Sequence, residues 1–189
     1  MPRPQTVHDE QLLMRLAEVF RVAGFEGASL GALAEASQLR RASLYHRFPD
    51  GKAQMAEAVL EHVQTLFVEA LEPMRSEPDV VEGIVVSAAR IGEIYGGGLL
   101  PCVLDTLTLS GAPESVRAIA TRLAALWVDA MAAAAVRAGR PPESARAAAQ
   151  DAFVRIEGGL VFARIFGDPS AFRRTLDQLP SILAAGAAS

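Results

Sequence analysis

Hydrophobic residues recur along nearly the whole chain at the three- to four-residue spacing of an amphipathic helix. Leu12, Leu16 and Phe20 form the first such stripe, which predicts a helix over residues 7–23 that stops at Gly24. We find no sustained alternation of hydrophobic and polar residues bounded by turn pairs, which is the pattern of a strand. The pattern therefore predicts an all-α fold.

The predicted helices differ greatly in length. Two short helices, over residues 30–36 and 40–47, follow the first, with Ser29 as an N-cap and Leu33 facing inward. A long helix is predicted next, over residues 51–75. Further stripes predict helices over residues 79–95, 101–109, 113–138, 143–166 and 170–184, which brings the total to about nine.

Two short helices joined by a tight turn, packed on a longer helix, follow the helix-turn-helix plan. The second short helix of such a unit fits a DNA major groove and presents its N-terminal side chains to the bases. We therefore predict a helix-turn-helix DNA-binding domain over residues 1–52. Residues 53–189 are predicted to form a helical bundle for ligand binding and dimerisation.

The overall charge argues weakly against nucleic-acid binding, because the chain carries 18 basic and 22 acidic residues, a net charge of −4. The charge is unevenly distributed, however. Residues 1–52 hold 7 basic and 6 acidic residues, net +1, and residues 53–189 hold 11 and 16, net −5. Residues 28–52 contain four basic residues and two acidic ones, which are Arg40, Arg41, Arg47 and Lys52 against Glu35 and Asp50. The acidic balance therefore belongs to the part of the chain that need not touch DNA.

The sequence over about residues 8–60 resembles the DNA-binding signature of TetR-type repressors. The run Ser43-Leu44-Tyr45-His46-Arg47-Phe48 is similar to the recognition-helix run of that family, and the ending Phe48-Pro49-Asp50-Gly51-Lys52 resembles its LmrA/YxaF-like branch. The resemblance implies an N-terminal three-helix head, a C-terminal helical bundle and a homodimer. It also implies a double-stranded DNA operator and a small-molecule effector as partners.

The resemblance also implies roles for single residues. Tyr45, Lys52 and Ser29 would contact phosphates, and Arg41 is the best candidate for reading a guanine because arginine pairs bidentately with its O6 and N7. The DNA-binding residues predicted in this way are Ser29, Arg40, Arg41, Ala42, Ser43, Tyr45, His46 and Lys52.

This chain departs from the family pattern at two positions. Gln38 stands in the turn where glycine is usual, and Arg40 opens the recognition helix in place of serine or threonine. The turn must then avoid the left-handed conformation or strain a non-glycine residue. The helix loses a side-chain cap that contributes about 1 kcal/mol.

The region after residue 52 is more apolar and carries a glycine pair in mid-helix. Two glycines cost about 1 kcal/mol each against alanine, so close helix contact is expected there. We predict a two-fold four-helix interface from the last two helices, which includes Phe153, Ile156, Gly158, Gly159 and Phe162. The alternative is tight contact within one chain.

A ligand pocket between the bundle helices is the second expectation for this region. The alternative for each candidate is a plain core residue that contacts no ligand. Glycines at positions 96 to 98 would let an entrance loop move. The predicted pocket residues are Tyr95, Leu99, Leu100, Cys102, Leu104, Trp127, Met131, Phe162 and Phe166.

Sequence motifs for catalysis or metal binding are lacking. The single cysteine excludes an internal disulfide and a Cys-rich zinc site, and the three histidines lack metal-ligand spacing. No nucleophile elbow, Walker loop or dinucleotide-binding glycine motif is present. The sequence therefore predicts neither an enzyme nor a cofactor nor a metal site. The lack of a signal peptide or long uncharged stretch predicts no membrane partner and a cytoplasmic location.

The predicted function is a ligand-responsive DNA-binding transcriptional regulator. It would act as a repressor released from a palindromic operator by a small hydrophobic molecule. The alternative is a helical small-molecule-binding or interaction protein that does not bind DNA.

Overall fold

The structure is a computed structural model that describes the backbone of residues 6–184 and the side chains of residues 9–184. Within these residues every regular element is helical, with nine α-helices and one 3-10 turn. The prediction of an all-α fold is therefore confirmed.

The helices lie within a few residues of their predicted positions. They are α1 Thr6–Gly27, α2 Leu30–Ser37, α3 Arg41–Arg47, α4 Lys52–Ser76, α5 Val80–Ile94, α6 Val103–Thr108, α7 Glu114–Arg137, α8 Pro142–Phe166 and α9 Ser170–Leu183. Helix α1 is continued past its predicted end because the chain bends at Gly24 (φ 65°, ψ −176°) and then resumes a helical turn. Pro73 lies inside the last turns of α4.

Compact packing divides the chain into two units. The first contains the described residues up to Thr65 together with Val103–Arg122, and the second contains Leu66–Cys102 together with the described residues from Leu123 onward. Helices α4 and α7 thus contribute to both units. The predicted boundary at residue 52 separates a DNA-binding from a ligand-binding region, which is a division by activity and not by packing. It stays a prediction.

The core of the first unit is built by the stripes that the sequence shows. Leu16 and Phe20 of α1, Leu33 of α2 and Leu44 of α3 are all essentially inaccessible to solvent. Burial of side chains of this size contributes about 1.5–3 kcal/mol each. Helix α2 packs on α1 and α3 packs on α2, so that the other faces of the two short helices are presented outward.

The core of the second unit is aromatic. The Trp127 ring meets Phe67 edge-on, with centroids 4.6 Å apart, and Tyr95 and Phe153 lie 6.3 and 6.1 Å from it. Tyr95 contacts Phe172 of α9 in the same edge-to-face manner, at 5.9 Å. Such arrangements are favoured by the charge distribution of aromatic rings.

Among the described residues, α7 is long and apolar enough to cross a membrane by length and composition, and half of its most apolar stretch is buried inside the protein. The core helix of a soluble protein has the same properties.

Candidate nucleic-acid interface

Helix α2 begins and ends with well-formed caps. The Ser29 hydroxyl accepts a hydrogen bond from the backbone N–H of Ala32 at 3.1 Å, which satisfies one of the free donors of the first turn. At the other end Gln38 adopts the left-handed conformation, φ 57° and ψ 25°, and its N–H donates to the carbonyl of Glu35 at 3.0 Å. Gln38 is the one non-glycine residue with positive φ in the part of the chain that the structure describes. The turn thus keeps the left-handed geometry that favours glycine, and the backbone of Gln38 is strained as a result.

Helix α3 is anchored by one buried side chain, and most of its other side chains are exposed. Leu44 is 1% exposed and anchors the helix, whereas the side chains around it face solvent. Arg40 occupies the N-cap position with extended backbone and provides no side-chain cap hydrogen bond. The exposed residues of this segment are Arg40, Arg41, Ala42, Ser43, Tyr45 and His46, which include most of the predicted DNA contacts.

The structure brings Arg41 and Ser29 close together. A Cβ atom added at Gly31 would lie 2.9 Å from Nη2 of Arg41 and 3.6 Å from Oγ of Ser29. The Arg41 guanidinium therefore lies over the first turn of α2, and the absence of a side chain at Gly31 makes room for it. The assignment of Arg41 to a guanine stays a prediction.

Tyr45 and Lys52 lie on either side of the turn between α3 and α4. The Tyr45 ring approaches Gly51, where an added Cβ would lie 3.8 Å from Cε1. The Lys52 ammonium donates to the carbonyl of Glu26 at 3.2 Å and stands 4.6 Å from the centroid of the Phe25 ring. One hydrogen bond leaves further N–H donors of this ammonium for an anion.

Arg47 has a role that sequence reasoning missed. Its guanidinium forms an ion pair with Asp9 and so links the end of α3 to the beginning of α1. The carboxylate and the guanidinium are 38 residues apart in the chain, so helical spacing gives no signal for this contact. Both side chains are partly exposed, and an exposed pair of this kind contributes about 0.2–1 kcal/mol.

The predicted pocket residues divide into a buried and an exposed group. Tyr95, Cys102, Leu104, Trp127 and Met131 are buried, and the Tyr95 hydroxyl donates to Sγ of Cys102 at 3.4 Å. By contrast, Leu99, Leu100, Phe162 and Phe166 are exposed, with Leu99 at 70%. The exposed group thus lies on the surface instead of lining an enclosed site with the core aromatics. Nε1 of Trp127 is fully buried without a hydrogen-bond partner.

The glycine turn that precedes Leu99 is tightly held. Gly96, Gly97 and Gly98 all have positive φ, and a Cβ at Gly98 would lie 2.8 Å from the Phe172 ring. The Arg173 guanidinium donates to the carbonyl of Gly97 at 3.2 Å. The triplet therefore fits against α9, whereas the sequence suggested a mobile entrance loop.

The predicted interface residues also separate by burial. Ile156 and Gly159 are buried in their own chain, where a Cβ at Gly159 would lie 2.8 Å from Cα of Phe172. Close approach of α9 within the chain thus explains this glycine. Gly158 has open space around it, Phe162 is 39% exposed and Phe153 is half-buried.

Metal-binding geometry is not found in the described residues, since no group of three or more His, Cys, Asp or Glu side chains is placed to hold an ion. The site at α2 and α3 is instead a surface of exposed polar and basic side chains. Its chemistry is that of hydrogen bonding and charge attraction.

The segment that contains this surface resembles a known family of proteins. Residues 12–59 match the sequence model of the bacterial regulatory proteins of the tetR family, and this segment contains α2, α3 and the turn between them. A comparison with curated proteins gave no match. A TetR transcriptional regulator from Legionella pneumophila superposes with a TM-score of 0.83 at 19% identity, over 97% of this chain and 98% of that one. The sequence match is thus confined to the segment around α2 and α3, and the superposition shows that this chain shares the fold of that regulator.

Two further structures share the TetR-like fold. A TetR-family regulator from Agrobacterium tumefaciens gives a TM-score of 0.79 at 18% identity and covers 97% of this chain and 100% of its own. A cysteine mutant of the TetR-family regulator CifR, complexed with 26-bp double-strand operator DNA, gives 0.71 at 22% identity, over 96% and 98% of the two chains. The TetR architecture therefore extends over nearly the whole chain, well beyond residues 12–59.

Proposed function

We propose that this protein is a DNA-binding transcriptional regulator of the TetR family whose α3 enters the major groove. The observation that carries the proposal is the exposed N-terminal end of α3, flanked by Tyr45 and by the tethered Lys52 ammonium. A phosphate beside Arg40 would also offset the cost of a cation at the N-terminus of α3. The operator complex of CifR supports the same use of this architecture.

We propose further that the protein works as a homodimer on a palindromic operator. Two-fold symmetric proteins of this kind place two recognition helices about one helical turn of DNA apart. The support comes from the outer face of α8, where Val154, Ile165 and Phe166 are each about two-thirds exposed and Gly158 is unobstructed. A contiguous apolar surface on a monomer is typical of an association site.

A repressor released by a small hydrophobic molecule is the regulatory mode that we propose. The aromatic core of the second unit would receive this effector, and the unpartnered Nε1 of Trp127 would donate to a polar atom on it. Release requires that the effector binds the DNA-competent and incompetent states with different affinities. We also propose that the protein is cytoplasmic and has no enzymatic activity. The sequence from Phe48 to Lys52 supports its placement in the LmrA/YxaF-like branch.

The test begins with selection of bound fragments from a random-sequence duplex library, followed by affinity measurements on a selected duplex at several salt concentrations. Lys52→Ala should reduce the slope of log affinity against log salt by about one unit, because one phosphate contact releases about one counterion. Arg75→Ala is the matched control, since it removes one positive charge from an exposed position of the same helix. Equal slopes for the two variants would contradict a phosphate contact at Lys52.

Failure of the wild-type protein to retain any duplex would favour the alternative of a helical small-molecule-binding protein. The strained Gln38 turn and the uncapped Arg40 are the observations that favour this alternative. Gly158→Leu tests the dimer separately, and we expect a weaker dimer by sedimentation. A fully dimeric variant would place the interface elsewhere.

A further inference from the structure

The end of α1 lies between the tethered Lys52 and the chain that follows α6. On the Lys52 side, the Glu26 carbonyl accepts from the ammonium and the Phe25 ring lies beneath it. A cation is favourable at the C-terminal end of a helix, where carbonyl groups are left without partners. The last turn of α1 has no basic residue of its own, so Lys52 supplies this charge from the start of α4.

On the other side, three close approaches connect the same segment to α6 and the loop after it. The Ser110 hydroxyl donates to the Glu26 carboxylate. A Cβ at Gly111 would lie 3.1 Å from Cβ of Glu26, and a Cβ at Gly24 would lie 2.9 Å from the carbonyl oxygen of Thr106. Gly24 and Gly111 both have positive φ, so these approaches depend on glycine in conformation as well as in size.

We infer that Ser110 and Glu26 are positioning residues for Lys52. The inference rests on the phosphate contact proposed for Lys52. A lysine side chain has many rotamers, and ordering it at the moment of binding reduces affinity. The carbonyl of Glu26 and the ring of Phe25 order this side chain in advance, and the Ser110 hydrogen bond fixes the residue that supplies the carbonyl.

The inference makes the loop after α6 part of the DNA-binding machinery, although Ser110 is 58 positions beyond Lys52 in the sequence. Loss of the Ser110 bond would free the end of α1 and with it the ammonium. The phosphate contact would then form less often, and fewer counterions would be released on binding.

Ser110→Ala tests the inference without changing the charge, and Ser110→Thr keeps the hydroxyl as its control. We expect Ser110→Ala to weaken binding to the selected duplex about three- to tenfold, which corresponds to one modest hydrogen bond. The salt slope should fall part of the way towards that of Lys52→Ala, and Ser110→Thr should behave as the wild type. In a Lys52→Ala background, Ser110→Ala should have no further effect on affinity or slope.

A second pair of variants keeps the test independent of folding problems at the loop. Glu26→Gln and Glu26→Ala remove the same charge, but only glutamine retains an acceptor for Ser110. We expect the alanine variant to bind more weakly and with a flatter salt slope than the glutamine variant. Equal slopes for this pair, or a Ser110→Ala effect that persists undiminished without Lys52, would overturn the inference. An unchanged slope for Lys52→Ala itself would instead reject the phosphate contact on which the inference rests.

Discussion

Replacement of Gln38 by glycine should stabilise the protein, although it removes a side chain from the helix-turn-helix. The left-handed backbone of Gln38 costs a non-glycine residue about 1–2 kcal/mol. Glycine adds about 0.5–1 kcal/mol of conformational entropy to the unfolded chain, which opposes the gain. The Gln38 side chain is exposed, so few contacts are lost. The net expectation is a stabilisation of about 0.5–1 kcal/mol.

The assay is urea unfolding followed by far-ultraviolet circular dichroism at one fixed protein concentration, since the stability of the proposed dimer would depend on concentration. With a urea slope of about 2 kcal/mol per molar, the midpoint should rise by about 0.25–0.5 M at an unchanged slope. Gln64→Gly is the matched control, because Gln64 is exposed within α4. There the same chemical change should lower stability by about 1 kcal/mol.

Two outcomes would refute the strain at this turn. One is a midpoint for Gln38→Gly at or below that of the wild type while Gln64→Gly behaves as expected. The other is an equal stabilisation by Gln38→Ala, since alanine keeps the steric cost of the left-handed conformation and should leave the midpoint nearly unchanged.

The remaining predictions concern caps and glycines. Arg40→Ser should add a side-chain cap and raise the free energy of unfolding by about 1 kcal/mol, and it should also weaken DNA binding; improved binding would contradict a DNA contact at this position. Gly158→Ala should stabilise α8 by up to about 1 kcal/mol in thermal unfolding, whereas Gly159→Ala should destabilise the protein because its Cβ meets the backbone of α9; the reverse order would contradict the observed helix contact. Hydrogen bonds from Ser170 lower the pKa of Asp168. The stability that the Asp168 carboxylate contributes should therefore be complete above the ordinary pKa of an aspartate and be lost as the pH falls through the lowered pKa. The unfolding midpoint of Asp168→Asn, measured between pH 7 and pH 3, should fall less in acid than that of the wild type.

The fold could be predicted from the sequence because its helices carry local signals. The Ser29 cap and the inward Leu33 are both found where the sequence predicts them. The sequence left two possibilities for Gln38, a strained left-handed backbone or a turn of another geometry. The structure shows the left-handed backbone. Tertiary contacts decide this choice: α2 packs on α1 and α3 packs on α2 with Leu33 and Leu44 both buried, and the turn between the two short helices has to follow.

The second unit was less predictable because a helical pattern does not place residues on either side of a turn. Tyr95 and Leu99 are four residues apart, yet one is 1% exposed and the other 70%. The three glycines between them all have positive φ and interrupt the α-helix, and no helical periodicity crosses such a turn. The glycine pair at 158 and 159 likewise gave no indication of which member faces its own chain.

The buried indole of Trp127 gives the protein a native optical reporter. It is the only tryptophan of the chain, and it lies among the rings of Phe67, Tyr95 and Phe153. Its emission therefore reports on the core of the second unit, and an aromatic or polarisable molecule that enters this core should change the spectrum directly. Candidate effectors can thus be screened on the unlabelled wild-type protein, and the same signal, set beside circular dichroism, shows whether this core unfolds together with the rest of the helices.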